Sequence, residues 1–192
     1  DNRGQIKRHM LAVPLSQQYN LTVSSASQRS SNIFSFMFSD HQSQFKNTDS
    51  QEYMLNYRNL AKITKWMDFS LSGMLHYSKD NNNGCSLATI QALSPYDMLI
   101  DENGDYLNVI NDYYQPIIEN QVPVEKFPYS DWSYNPLSEM DNRDLTTQKL
   151  NIRLQAGITL QLLKGLSYDA KVQYEILQDE SRNLYKEGSY YV

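Results

Sequence analysis

The sequence predicts an all-β fold, an antiparallel transmembrane β-barrel segment of about six strands in three hairpins with one long extracellular loop. Three observations carry this. First, apolar and polar residues alternate almost without error through 150–162 and again through 166–176, with only Leu163, Lys164 and Gly165 between them. Second, each arm is about twice the 5–6 residues of an ordinary soluble strand and meets the about 9–11 that an outer-membrane strand needs. Third, tight turns alternate with long connections, the asymmetry of a barrel with short periplasmic turns and long extracellular loops.

In chain order, residues 1–16 are polar, broken by Pro14, and read as a lead-in. Residues 17–78 hold barrel strands 1–4. Tyr19, Leu21 and Val23 oppose Asn20, Thr22 and Ser24, and after a turn at 28–31 Phe34, Phe36 and Phe38 share a face, which makes the first hairpin. Past a polar loop, Tyr53, Leu55, Tyr57, Ala61 and Ile63 face away from Glu52, Asn56, Arg58 and Lys62. Thr64, Lys65 and Trp66 turn the chain, and Met67, Phe69, Leu71, Gly73, Leu75 and Tyr77 return it. Periodicity is lost over 79–144, which carries five of the six prolines and reads as one long extracellular loop. Strands 5–6 occupy 145–178, and 179–192 begins a further loop.

Composition narrows the function. A net charge of −5 without any Lys/Arg cluster argues against nucleic acid as a partner. No apolar run reaches the roughly 18–20 residues of a membrane helix, and the mean hydropathy of −0.63 leaves a barrel open, because a barrel carries its membrane signal in alternation. Fifteen tyrosines suit the aromatic girdles that barrels place at both membrane interfaces. Cys85, the single cysteine, reads as a passive loop thiol, and the opening residues lack the apolar core of a signal peptide. Six strands fall short of the eight of the smallest closed barrel, and lipid does not tolerate an open sheet edge, so the chain reads as a section of a larger barrel.

Several stretches then resemble the SusC/RagA-type TonB-linked (TonB-dependent) outer-membrane transporters of Bacteroidota. QQYNLTVSSAS at 17–27 resembles that family's strand after the plug, although Ser24, Ser25 and Ala26 stand where a Gly-Gly is usual. NLAKITKWMDFSLSGMLHYS at 59–78 resembles its strand, turn and return strand. LSPYDMLIDENGDYL at 93–107 is the most specific match, and YNPL at 134–137 with LLKGLSYDAKVQYE at 162–175 resembles the hairpin that follows.

The resemblance implies an interior segment, about six strands of some 22, without the plug, the TonB box or the closing strand. It implies residence in the outer membrane of a Gram-negative bacterium and energised import of bulky nutrients, glycans or oligosaccharides and in some members peptides. The implied partners are a SusD-like surface lipoprotein, the TonB complex through parts outside this chain, the remaining strands and plug of the same barrel, the substrate and membrane lipid. No cofactor and no chemistry on the substrate are implied. The loop at 79–144 is then where substrate contact is expected. Trp132, Tyr134 and Asn135 supply aromatic faces and an amide within four residues, the groups that sugars require, or else pack the loop on itself.

Other candidates are weaker. Asp101, Glu102, Asn103, Gly104 and Asp105 resemble part of a calcium loop but lack the later bidentate acid, and Asn-Gly also makes a tight turn. His9, His41 and His76 stand far apart without an acid or thiol at metal or nucleophile–base spacing, so no catalytic motif supports an enzyme. Arg58, Lys62, Asp68, Lys149, Arg153, Asp169, Lys171 and Glu175 are mixed in sign and face the lumen, where they either pair across strands or meet the plug. The competing readings are a soluble extracellular β-rich module that binds glycans, which requires closed sheet edges, and a glycan-cleaving enzyme, which requires two carboxylates about 5–10 Å apart.

Overall fold

The structure, a computed structural model, describes residues 1–109, 115–126 and 133–192. Six antiparallel strands form one sheet in sequence order: β1 (Leu15–Ala26), β2 (Ser30–Gln42), β3 (Thr48–Lys62), β4 (Met67–Asn82), β5 (Arg143–Leu163) and β6 (Leu166–Tyr185). The sheet is open, with β1 and β6 at its edges. Its strands run from 12 residues in β1 to 21 in β5, well beyond the usual soluble length.

The register explains why the alternation in the sequence is so regular. Each strand pairs with the next so that like faces meet. Leu21, Phe36, Leu55, Leu75, Ile152 and Ile176 form one unbroken cross-strand row. A slip of one residue at any pairing would move a whole strand's apolar set to the polar side. The turns hold this register. Ser27 Oγ accepts from the Ser30 amide at 3.1 Å, Thr64 Oγ1 accepts from the Trp66 amide at 3.3 Å, and Gly165 supplies a φ of +88° between Leu163 and Leu166.

Several boundaries differ from the sequence reading. The lead-in contains a helix, α1 (Arg3–His9), and β1 starts at Leu15. The third hairpin extends beyond 145–178 at both ends, because Gln178, Glu180 and Arg182 break the apolar alternation without breaking the backbone ladder to Leu150, Gln148 and Thr146. The long loop includes the end of β4 and carries α2 (Leu87–Ala92), α3 (Gln115–Gln121), a 3-10 turn at Val124–Lys126 and α4 (Pro136–Asn142). Ser86 starts α2 with a capping box to Thr89, and Asn135 followed by Pro136 starts α4.

The buried core lies at the loop end and off the sheet. Met10, Cys85, Leu99, Leu137 and Met140 form it, with Ile6, Phe45, Ile90, Leu93 and Ile100 packed around them. Asn2 ties α1 to the long loop by donating to Ser94 O and Asp97 O, both at 2.9 Å. Gln5 does the same, accepting from the Leu99 amide at 2.7 Å and donating to Ile100 O at 2.7 Å. Gly84 sits so close to the Lys46 carbonyl that a Cβ has no room there.

Candidate membrane-facing wall and loop-end cap

The apolar face of the sheet is uncovered. Val172 is 73% exposed, Tyr174 62%, Leu21 56% and Leu154 51%. No described helix or loop contributes buried apolar residues against that face; the buried cluster is entirely at the loop end. Water makes so large an exposed apolar surface costly, and a monomeric soluble protein seldom leaves one.

The upper margin of this face is built in two rows. Tyr19, Phe38, Tyr53 and Tyr77 form a cross-strand aromatic row, with successive ring centroids 6.3, 4.9 and 6.2 Å apart. Directly above lies a polar row running Gln17, Asp40, Gln51, Lys79, Gln148 and Glu180. The tyrosine hydroxyls point into it: Tyr19 donates to Gln17 Oε1 at 3.2 Å and Tyr77 to Gln148 Oε1 at 3.3 Å. An amphipathic ring with its body in an apolar band and its hydroxyl among amides is the arrangement of a membrane-interface aromatic.

The lower margin steps downward across the sheet. Val23 and Phe34 are the last apolar residues on that face of β1 and β2, whereas β4, β5 and β6 stay apolar to Met67, Leu162 and Leu166. Strands tilted against a level boundary produce such a step. The polar side chains left on β2 and β3 satisfy each other, since Asn59 donates to Asn32 Oδ1 at 2.6 Å and Tyr57 donates to the same oxygen at 3.1 Å. From Tyr77 down to Met67, about ten residues at about 3.3 Å each and about 40° of tilt span roughly 25 Å, the height of an outer-membrane apolar band.

The other face is polar and largely internally paired. Arg153 Nη2 donates to Glu175 Oε1 at 2.7 Å, His76 Nε2 lies 2.7 Å from Glu52 Oε1, and Lys149 approaches Asp179 to 4.0 Å. Thr159 donates to Asp169 at 2.5 Å. A hollow of about 350 Å³ opens on this face among Ser35, Asn56, Arg58, Ser72, Arg153 and Gln155. Cross-strand pairing therefore accounts for Arg153, Lys149 and Glu175 of the lumen-side charges.

At the loop end the structure brings Tyr134 and Asn135 into the cap; Trp132 lies outside the described residues. Tyr134 packs edge-on against Tyr190 with centroids 5.5 Å apart, and burial pushes its hydroxyl pKa above the usual range. Asn135 is buried and its side chain bonds three times to the backbone: Nδ2 donates to Leu99 O at 2.7 Å and Leu107 O at 2.8 Å, and Oδ1 accepts from the Leu137 amide at 2.8 Å. It holds the loop in shape with the groups that sequence reading offers to a sugar. The signal for this was present, since Asn before Pro is a helix start, and Asn2 and Gln5 carried no comparable signal.

Asp101 closes a tight turn. Its Oδ1 accepts from the Asn103 amide at 2.8 Å and the Asp105 amide at 2.9 Å, with Gly104 at a φ of +96°. The Asp105 amide in particular holds the Asp101 carboxyl below its usual range. Among the described residues no group of three His, Cys, Asp or Glu side chains is arranged to hold a metal.

No protein-family model matches the chain, and no curated protein matches it. Solved structures do. The chain is similar to the RagAB peptide transporter, with a TM-score of 0.67 and 14% identity over 92% of this chain and 19% of the other. It is also similar to the RagAB peptide importer in its "closed-closed" state, with a TM-score of 0.68, 14% identity and the same coverage. The chain thus spans about a fifth of the length of the transporters it matches. Its six-stranded sheet and loop-end cap have the fold of a barrel section of the RagAB transporter.

Proposed function

We propose that the chain is a wall section of an outer-membrane, TonB-dependent importer of the SusC/RagA type, which takes up bulky nutrients, glycans or peptides, together with a SusD-like surface lipoprotein. The uncovered apolar face carries this reading. It is continuous over six strands, bounded above by aromatic and polar rows, and about as tall as the hydrocarbon layer of an outer membrane. The open edges at β1 and β6 are then completed by neighbouring strands of the same barrel, since lipid leaves no unpaired backbone unsatisfied.

In this reading the turns at Ser27, Trp66 and Gly165 face the periplasm and the cap faces outward. The polar face lines the lumen, where the hollow beside Arg58 receives the plug. Trp132, Tyr134 and Asn135 are the residues of this loop offered to substrate, and Asn135 anchors the backbone beside Tyr134 through its bonds to Leu99 and Leu107. The lipoprotein lid rests on the cap formed by α1, α2 and α4.

The full-length protein, fractionated from cells and extracted with and without detergent, tests this. The expected result is recovery from the outer-membrane fraction as a β-rich, monodisperse particle in detergent alone, with a lipoprotein co-purifying. A folded, monodisperse protein in plain buffer overturns the membrane reading in favour of a soluble glycan-binding module.

A further inference from the structure

Resting on the membrane reading above, we propose that the outer wall carries a seat for a phosphate-bearing lipid headgroup, immediately above the aromatic row between β4 and β6. A cavity of about 490 Å³ opens there, lined by Lys79, Thr146, Gln148, Glu180, Arg182 and Lys186, with Arg143 and Asp144 at its upper side. Lys79, Arg182 and Lys186 face Asp144 and Glu180 there, a local charge of +1 in a chain whose net charge is −5.

Position decides what such a cavity meets. Lys79, Gln148, Glu180 and Arg182 stand on the same face of the sheet as Tyr77, Leu150 and Gln178, one or two rows higher. They therefore look outward at the level where an apolar band gives way to headgroups, and away from the lumen. Tyr77 makes the join continuous, its ring in the apolar row and its hydroxyl on Gln148 of the cavity wall. Anionic headgroups at a membrane surface attract basic side chains there, and a phosphate offers several acceptor oxygens to them.

The side chains are held in place and keep binding capacity. Arg182 Nε rests on Asp144 at 3.4 Å, and Lys186 donates to Asp141 O at 3.0 Å, so both heads are oriented. Lys79 has no ion-pair partner among the described residues.

The test uses the full-length protein in mild detergent, with lipid retention read by native mass spectrometry. Three probes are added separately: lipid A, its dephosphorylated form and inorganic phosphate. Lipid A is expected to be retained, and the dephosphorylated form at least tenfold less. Lys79→Gln with Arg182→Gln and Lys186→Gln should lower lipid A retention at least tenfold, whereas Lys62→Gln with Lys171→Gln, on the opposite face, should leave it unchanged. Lys79→Gln alone keeps the Arg182–Asp144 pair and should lower retention several-fold, and Lys79→Arg should restore it. Equal retention by the triple variant overturns the proposal, as does complete displacement by equimolar inorganic phosphate, which marks a site for free anions. Failure of the membrane reading shows separately, as a protein that stays folded and monodisperse without detergent.

Discussion

Asn135 and Leu99 are joined across 36 residues of chain by a buried hydrogen bond of 2.7 Å, from Nδ2 to the Leu99 carbonyl. The same amide nitrogen reaches Leu107, and its oxygen caps α4, so one side chain fixes three pieces of the cap. Replacing Asn135 with Ala removes the side-chain partner of the Leu107 carbonyl and the Leu137 amide, leaves the Leu99 carbonyl with the Leu107 amide alone, and should cost about 1–3 kcal/mol. Hydrogen exchange checks this. Protection at 99–109 and 136–140 should fall while protection in β2–β4 stays as it was.

The uncovered face gives a second prediction, read by a pair of neighbours. Leu154 points to the apolar side and Gln155 to the polar side of β5. Leu154→Arg places a charge near the middle of the apolar band and should destabilise the barrel by about 2–4 kcal/mol in bilayers, whereas Gln155→Arg should change it by under about 1 kcal/mol. Urea unfolding of the protein reconstituted in lipid vesicles measures both. Equal effects would contradict a lipid-facing wall.

A third concerns pH. The Asp105 and Asn103 amides hold the Asp101 carboxyl below its usual range, so the carboxylate supports the turn above the ordinary aspartate pKa, and that support is lost as pH falls through the depressed value. Amide protection at Asn103 and Asp105 should therefore drop on acidification below about pH 4. In Asp101→Asn the side-chain carbonyl still accepts these bonds, and the acid-dependent drop should disappear.

The turn between the two longest strands supplies a fourth. Gly165 has a φ of +88° with open space around its Cα, so a side chain there meets backbone strain and no clash. Gly165→Ala should cost about 1 kcal/mol and Gly165→Val more, with little change in the folded particle. Refolding yield from urea into detergent micelles is the measurement, and Lys164→Ala, in the same turn, should leave it unaffected.

The wall was legible in the sequence because a lipid-facing strand writes its geometry with a period of two. Leu150, Ile152 and Leu154 reveal their face without reference to any partner, and the tight turns fall where alternation pauses. The strand ends were not legible above the band. Gln178, Glu180 and Arg182 continue the ladder through backbone bonds, which leave no mark on side-chain polarity. The cap was hidden for another reason, since its contacts join distant positions. Asn2 meets Ser94 and Asp97 some 90 residues away, and nothing local marks Asn2 as a cap residue. Tyr134 and Asn135 were visible as a pair, but Asn135's commitment to Leu99 and Leu107 depends on a three-dimensional crossing.

Cys85 turns the cap into a clock. It is the single thiol in the chain, packed with Met10, Leu99, Leu137 and Met140, and burial raises its pKa so that little thiolate is present at neutral pH. At 8% exposure and with little thiolate, it meets an alkylating reagent in the medium slowly while the cap stays packed. Faster modification then reports loosening of the packing around Met10, Leu99, Leu137 and Met140.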